Sequence, residues 1–284
     1  LLSLFAGGVV NVGFNLFFVI VCHMGVAGVA IGTVMSQCIA AFLTVRCLVK
    51  TDDHYGLKLR RLRIVKHKLF RILRVGIPTG IQGAVFSISN VLIQSAINSF
   101  DSSIIVAGNT ASSSIENFVY TAMYSVYQAS LTFTSQNVGA NKVKRIVPIL
   151  LWCLLCVAAV GIVLGSLATL FGRPLLAIYD PNPDVIAYGF DRLSLIATTY
   201  FLCGLMDVVC GSIRGLGPSI TPTIVSLVGV CALRILWIYT VFAANRTLRV
   251  LYWSYPVPWT VTFLAHLVCF IVFFRRWKKR VEAR

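Results

Sequence analysis

Acidic residues are scarce in this chain: nine Asp and Glu stand against 25 Lys and Arg among 284 residues, and charged side chains make up only 12% of it. So little charge, with 58% of residues hydrophobic and a mean hydropathy of +0.85, excludes an ordinary water-soluble domain. No H-E-x-x-H or G-x-S-x-G sequence occurs, and His23, His54, His67 and His266 are scattered without ligand spacing, so the chain is not expected to be an enzyme. The nine cysteines all lie in or at the edge of apolar runs, where cysteine acts as a small hydrophobe. The C-x-x-C pair, Cys153 and Cys156, has no second pair or histidine cluster to complete a metal site. No disulfide framework, metal or organic cofactor is expected. Short segments of alternating polarity are missing too, and a run such as 149–170 is nearly continuous Leu, Val, Ala, Cys and Gly, which excludes a transmembrane β-barrel.

What the chain has instead is long apolar runs. A helix needs about 20 mostly apolar residues to cross a hydrocarbon core roughly 30 Å thick. By that measure the sequence predicts an all-α polytopic membrane protein with eight spans, at residues 3–22, 27–49, 75–98, 103–135, 148–171, 186–212, 220–243 and 256–274. If both termini and alternate loops share one side, 20 of the 25 Lys and Arg gather there, among them Arg214; Arg173, Arg192, Arg246 and Arg249 fall opposite and Arg234 falls inside a span. The positive-inside rule then puts both termini in the cytoplasm of a cell membrane, and the net charge of +16 is a topology signal rather than a nucleic-acid signal.

The longest hydrophilic stretch is 50–74, where Leu59, Leu62, Val65, Leu69 and Leu73 recur at three to four residues among basic side chains. This spacing predicts a cationic amphipathic helix lying on the cytoplasmic leaflet. It would link two spans in residues 1–49 to six in 75–274, with a basic tail over 275–284. The chain starts at Leu1 with neither Met nor a charged leader, and two spans followed by six fit a fragment of a six-plus-six parent. Gly76, Pro78, Gly80 and Gly83 in the third span, and Gly204 to Pro222 around the sixth and seventh, point to bent helices or a cavity.

Only two of the acidic residues, Glu116 and Asp207, sit well inside a span, where an ionisable group costs at least about 2.5 to 3.5 kcal/mol on insertion scales. Glu116, Tyr120, Met123 and Tyr127 share one helical face that should border a cavity. A carboxylate withdrawn from water there could exchange a proton for a cation or substrate, and Glu116 ranks ahead of Asp207 for this role; a structural hydrogen bond is the competing account of both. In the third span Gln82, Asn90 and Phe86 either line a ligand path or bond helix to helix. Arg234, midway along the seventh span, is a candidate partner for Glu116 or Asp207, or a structural anchor. Asn11 and Asn15, one turn apart, are taken as packing residues that could touch the cavity.

Four segments in order, V-G-I-P-T-G-I-Q at 75–82, I-E-N-F-V-Y at 115–120, F-T-S-Q-N-V-G-A-N at 133–141 and G-S-I-R-G-L-G at 211–217, resemble the C-terminal lobe of multidrug and toxic compound extrusion (MATE) transporters. The resemblance implies a twelve-helix parent of two lobes around a central cavity, in which the first two spans here are the fifth and sixth helices. It also implies alternating access, with organic and often cationic drugs leaving as H+ or Na+ enters, the bilayer as environment, no nucleic-acid partner and a monomeric state. Among the embedded carboxylates through which the family couples, Glu116 fits best. The helix 75–98 lacks the acid that some sodium-coupled members carry, with Phe86 near that position, which leaves the ion open. A lipid-linked-sugar flippase, whose cavity should be dense in Arg and Lys, and a receptor or enzyme are the alternatives. Because only the carboxylate should matter for exchange, Glu116→Gln is expected to stop gradient-driven efflux without disturbing the fold.

Overall fold

Apolar segments in lipid must satisfy their own backbone N–H and C=O groups, and the described part of this chain does so entirely with helices. The computed structural model describes residues 2–51, 56–58 and 62–283. Helix α1 (Leu2–Leu16) ends in a π-type turn (Phe17–Val21), and α2 (Gly25–Lys50) returns beside it. Then follow α3 (Lys66–Asn98), α4 (Ser103–Gly139), α5 (Val143–Leu170), the short α6 (Gly172–Tyr179), α7 (Pro183–Thr199) and α8 (Phe201–Gly215). Helix α9 (Ile220–Phe242) contains two π-type stretches, Leu227–Ala232 and Ile238–Phe242, and the short α10 (Leu248–Trp253) precedes α11 (Pro256–Glu282).

Local chemistry sets the ends. The Ser102 hydroxyl accepts from the Ile105 amide at 3.5 Å to start α4, and the Asn182 side chain accepts from Asp184 N at 2.9 Å ahead of Pro183 to start α7. Between α8 and α9 the chain turns at Gly217, whose φ of +116° only glycine adopts without strain.

Each expected span is occupied by helix, but length and composition qualify fewer than eight. Five described helices are long and apolar enough to cross a membrane, and α7 with α8, bent by 42°, makes a sixth if counted as one span. The apolar part of the first helix, Phe5–Val21, is too short. Helix α4 is long enough at 37 residues but carries too many polar side chains, Asn109, Ser112 to Ser114, Glu116 and Asn117 among them. The separate amphipathic helix expected over 50–74 is not present among the described residues. Helix α2 ends at Lys50, residues 56–58 and 62–65 are not helical, and Lys66 opens α3, which continues through Pro78 as one helix. Leu59, Arg60 and Arg61 lie outside the described residues. The exposed Leu69 and Leu73 of α3 carry what remains of the apolar stripe.

Two compact units divide the chain, Leu1–Leu69 and Phe70–Arg284. In the first, α2 presents Gly28, Gly32, Ser36 and Ala40, one residue every turn, to α1. Asn11 donates to the Ser36 hydroxyl at 3.0 Å and Asn15 to Asn11 at 3.2 Å, so both asparagines join α1 to itself and to α2.

In the second unit α4 is central, packed against α5, α7 and α8. Glycines let backbones approach where these helices cross. A Cβ at Gly108 of α4 would lie 2.7 Å from Val185 O and 2.8 Å from Gly189 N of α7, and one at Gly165 of α5 would meet the Ala197 carbonyl of α7. Large apolar side chains such as Leu151, Trp152 and Leu155 point outward, as a lipid-facing surface requires. Gly165→Ala should therefore destabilise the protein by about 1–3 kcal/mol, since the backbone it meets cannot rotate away. Gly83→Ala, with nothing within 4 Å, should be neutral. Thermal unfolding in detergent compares the two, and equal melting temperatures would refute the crossing.

Candidate functional site

The polar run of α4 that weakens it as a membrane span builds the site. Glu116, 4% exposed, accepts from the Ser112 hydroxyl one turn earlier at 2.9 Å. Arg192 of α7, 3% exposed, meets the same carboxylate as a two-pronged fork, Nε to Oε1 at 3.0 Å and Nη2 to Oε2 at 2.8 Å. Its third nitrogen, Nη1, donates to Asn109 Oδ1 at 2.6 Å; Asn109 donates to Gln94 of α3 at 3.2 Å, and Gln94 to Asn98 at 3.0 Å. One connected set of charged and amide groups therefore joins α7, α4 and α3. The Arg192 guanidinium also lies 5.3 Å from the centre of the Tyr255 ring and 5.8 Å from that of Tyr252.

The partner of Glu116 is thus Arg192 and not Arg234. Counting loop charges assigned Arg192 to the outer side, yet residue 192 falls within the predicted span 186–212, and that position alone could have marked it as an embedded cation. Arg234 sits in the α-helical turn Leu233–Trp237, between the two π-type stretches of α9. It is 4% exposed and donates from Nη1 to Asn90 Oδ1 at 3.1 Å and Ser89 Oγ at 3.4 Å. Its guanidinium stands 4.5 Å from the Tyr255 ring centre, and its Nε is buried without a hydrogen-bond partner. Asp207 of α8 is half-buried. Among the described residues neither Arg234 nor Asp207 has an ion-pair partner.

These groups surround a cavity of about 430 Å³ whose walls come from α3, α4, α7, α8, α9 and α11. Glu116, Arg192, Asp207 and Arg234 line it, together with Asn90, Asn117 and Tyr120. Aromatic rings form a continuous side: Tyr120 is 6.2 Å from Tyr200, Tyr200 is 5.2 Å from Trp259, and Trp259 is 5.7 Å from Tyr255. Phe86 is on the wall as well.

Three expected cavity residues lie elsewhere. Met123 and Tyr127 do share the face of Glu116 and Tyr120, but further along α4 that face packs against α8. Met123 fills the space beside Gly161 and Gly204, and the Tyr127 ring covers Gly211. Gln82 and the Tyr127 hydroxyl both accept from Arg214, the latter at 2.8 Å, and Thr223 joins them. Arg214, counted with the basic residues of the cytoplasmic side, is half-buried and ties α8 to α3, α4 and α9.

Glu116→Gln, which sequence alone treats as neutral to folding, should leave Arg192 charged, buried and unpaired. The expected loss is about 3–5 kcal/mol of stability, largely recovered when Arg192→Met is added, because the resulting neutral pair no longer carries an uncompensated charge. Melting temperatures of the single and double variants in detergent measure this; a fully stable single variant would refute it.

The sequence profile of the MatE family matches residues 78–240. Two curated relatives of Bacillus subtilis are the probable multidrug resistance protein YpnP, 28% identical over 231 residues covering 76% of this chain and 48% of the relative, and the probable multidrug resistance protein YoeA, 24% identical over 211 residues covering 72% and 44%. The chain thus spans about half the length of the curated relatives it matches. Among solved structures, a MATE protein crystallised in complex with MaL6 superposes with a TM-score of 0.88 at 17% identity, over 98% of this chain and 63% of the other, which establishes a shared fold. With the profile match extending over more than half of its length, from α3 to the later turns of α9, this chain belongs to the MatE family of membrane transporters.

Proposed function

We propose that the chain forms part of a secondary transporter of the cell membrane that exports organic compounds in exchange for H+ or Na+, with the cavity of the second unit taking part in substrate binding. The single observation that carries this reading is Asp207, a carboxylate on the cavity wall with no ion-pair partner among the described residues. An embedded carboxylate left unpaired is costly unless it exchanges a proton or cation, which is the chemistry of antiport. Glu116 fits that role less well, because releasing Arg192 to take up a proton would strand a buried guanidinium. Asp207 therefore takes first place as the coupling group, and Glu116 holds the wall in shape. Phe86, Tyr120, Asn90 and Arg234 are the proposed substrate contacts. The names of the curated relatives, both probable multidrug resistance proteins, accord with this reading.

The bias of basic residues supports a topology with both ends of this chain on the cytoplasmic side, by the positive-inside rule. A flippase for lipid diphosphates is poorly served by this cavity: of its two wall arginines, Arg192 is neutralised by Glu116 and only Arg234 is left for an anion.

In proteoliposomes containing the full-length protein, Asp207→Asn is expected to lower gradient-driven efflux of a fluorescent organic cation about tenfold or more while leaving the melting temperature unchanged. Imposing proton and sodium gradients separately identifies the ion. Undiminished efflux by this variant would remove Asp207 from the mechanism.

A further inference from the structure

Arg234 is a cation in need of an anion. It is as deeply buried as Arg192, but where Arg192 has two carboxylate oxygens and an amide oxygen, Arg234 has one amide oxygen at 3.1 Å and a distant hydroxyl. Its Nε is enclosed and unpartnered, and the side chain lines the cavity. Such a charge is costly to keep in a membrane interior without a compensating oxyanion. The local backbone is irregular there too: α9 widens into π-type turns immediately before and after the turn that carries Arg234, an irregularity found frequently at functional sites. Tyr255, over which Arg234 stacks, continues into the aromatic side of the cavity at Trp259.

We propose that Arg234 is an anion subsite, so that this cavity takes aromatic compounds bearing a compact oxyanion such as a carboxylate, which would pair with the guanidinium while the ring system lies along Tyr255 and Trp259. Since Asp207 stands on the same wall, compounds carrying both a carboxylate and a positive charge match the cavity best, and purely cationic ones match half of it. The inference rests on the cavity being a substrate site, and it narrows the class of substrate.

Rhodamine B, which carries a free carboxylate beside its cationic ring system, and its ethyl ester, which keeps the ring system and loses the negative charge, separate the two features. Binding of each dye to the full-length protein in detergent is followed by fluorescence anisotropy. The wild type is expected to prefer the acid; Arg234→Gln should weaken acid binding about tenfold and change ester binding by less than about twofold, in line with the loss of one charge-assisted contact. Arg234→Lys, which restores the charge, should recover most of the preference, and unchanged ester binding certifies that the variants are folded. An acid affinity untouched by Arg234→Gln, an equal loss for both dyes, or no binding of either to the wild type would overturn the subsite. Efflux under an imposed gradient keeps the two readings apart. Acid preference in binding without gradient-driven movement of either dye would leave the subsite standing and remove antiport, whereas export of the ester without acid preference would do the reverse.

Discussion

The second unit is organised around one buried contact, the fork between Arg192 and Glu116. Bringing two charges out of water is repaid only if their geometry is good and their remaining donors and acceptors are satisfied. Here Ser112 and Asn109 complete that requirement, and Gln94 extends it to a third helix. The reach of the guanidinium depends in turn on how closely α4 and α7 approach. Gly108 and Gly189 meet backbone to backbone, and they stand next to Asn109 and three residues before Arg192 respectively. A larger residue at either glycine would separate the helices where the arginine has to reach across. Small residues and charged residues therefore act as one device: the first set the distance, and the second set the rotation of each helix about its axis.

With the pair closed, the charges of the cavity divide unequally. Glu116 and Arg192 neutralise each other and belong to the frame. Asp207 and Arg234 are left over, one of each sign, on a wall that also carries amides, aromatic rings and aliphatic side chains. Electrostatics in such a site are governed by what is unpaired, since a closed pair has little field left to offer a ligand. The competition between drug transport and lipid-diphosphate transport turns on the same point, because the number of arginines matters less than the number without partners.

How much of this was legible beforehand differs between fold and site. The helical segments followed from length and hydropathy, because lipid imposes one requirement on every spanning segment and apolar runs reveal it directly. Length and composition qualify fewer than eight because the apolar part of the first helix is short, because α4 keeps its polar residues for the site, and because α7 and α8 are bent at Tyr200. Glu116, Asp207 and Arg234 were recognisable as embedded ionisable groups from position alone. Arg192 was missed because charge counting assigned it to a loop although its position lies within the predicted span 186–212, and the helix crossing identifies its partner as Glu116. Met123 and Tyr127 illustrate a second limit: helical periodicity assigns residues to a face, but whether a face meets space or a neighbouring helix varies along its length and depends on where Gly161, Gly204 and Gly211 let another helix close in.

The glycine crossings have an implication for how this protein could diverge. The groups that hold the helices in place, Gly108, Gly165, Gly189 and the Arg192 fork, are distinct from side chains such as Phe86, Asn117 and Tyr120 that reach the cavity without closing a helix contact of that kind. Changes at the latter positions alter the shape and polarity offered to a compound while the frame keeps its geometry. On the proposed reading of this cavity, selectivity can shift by single substitutions at these positions while the glycine crossings stay unchanged.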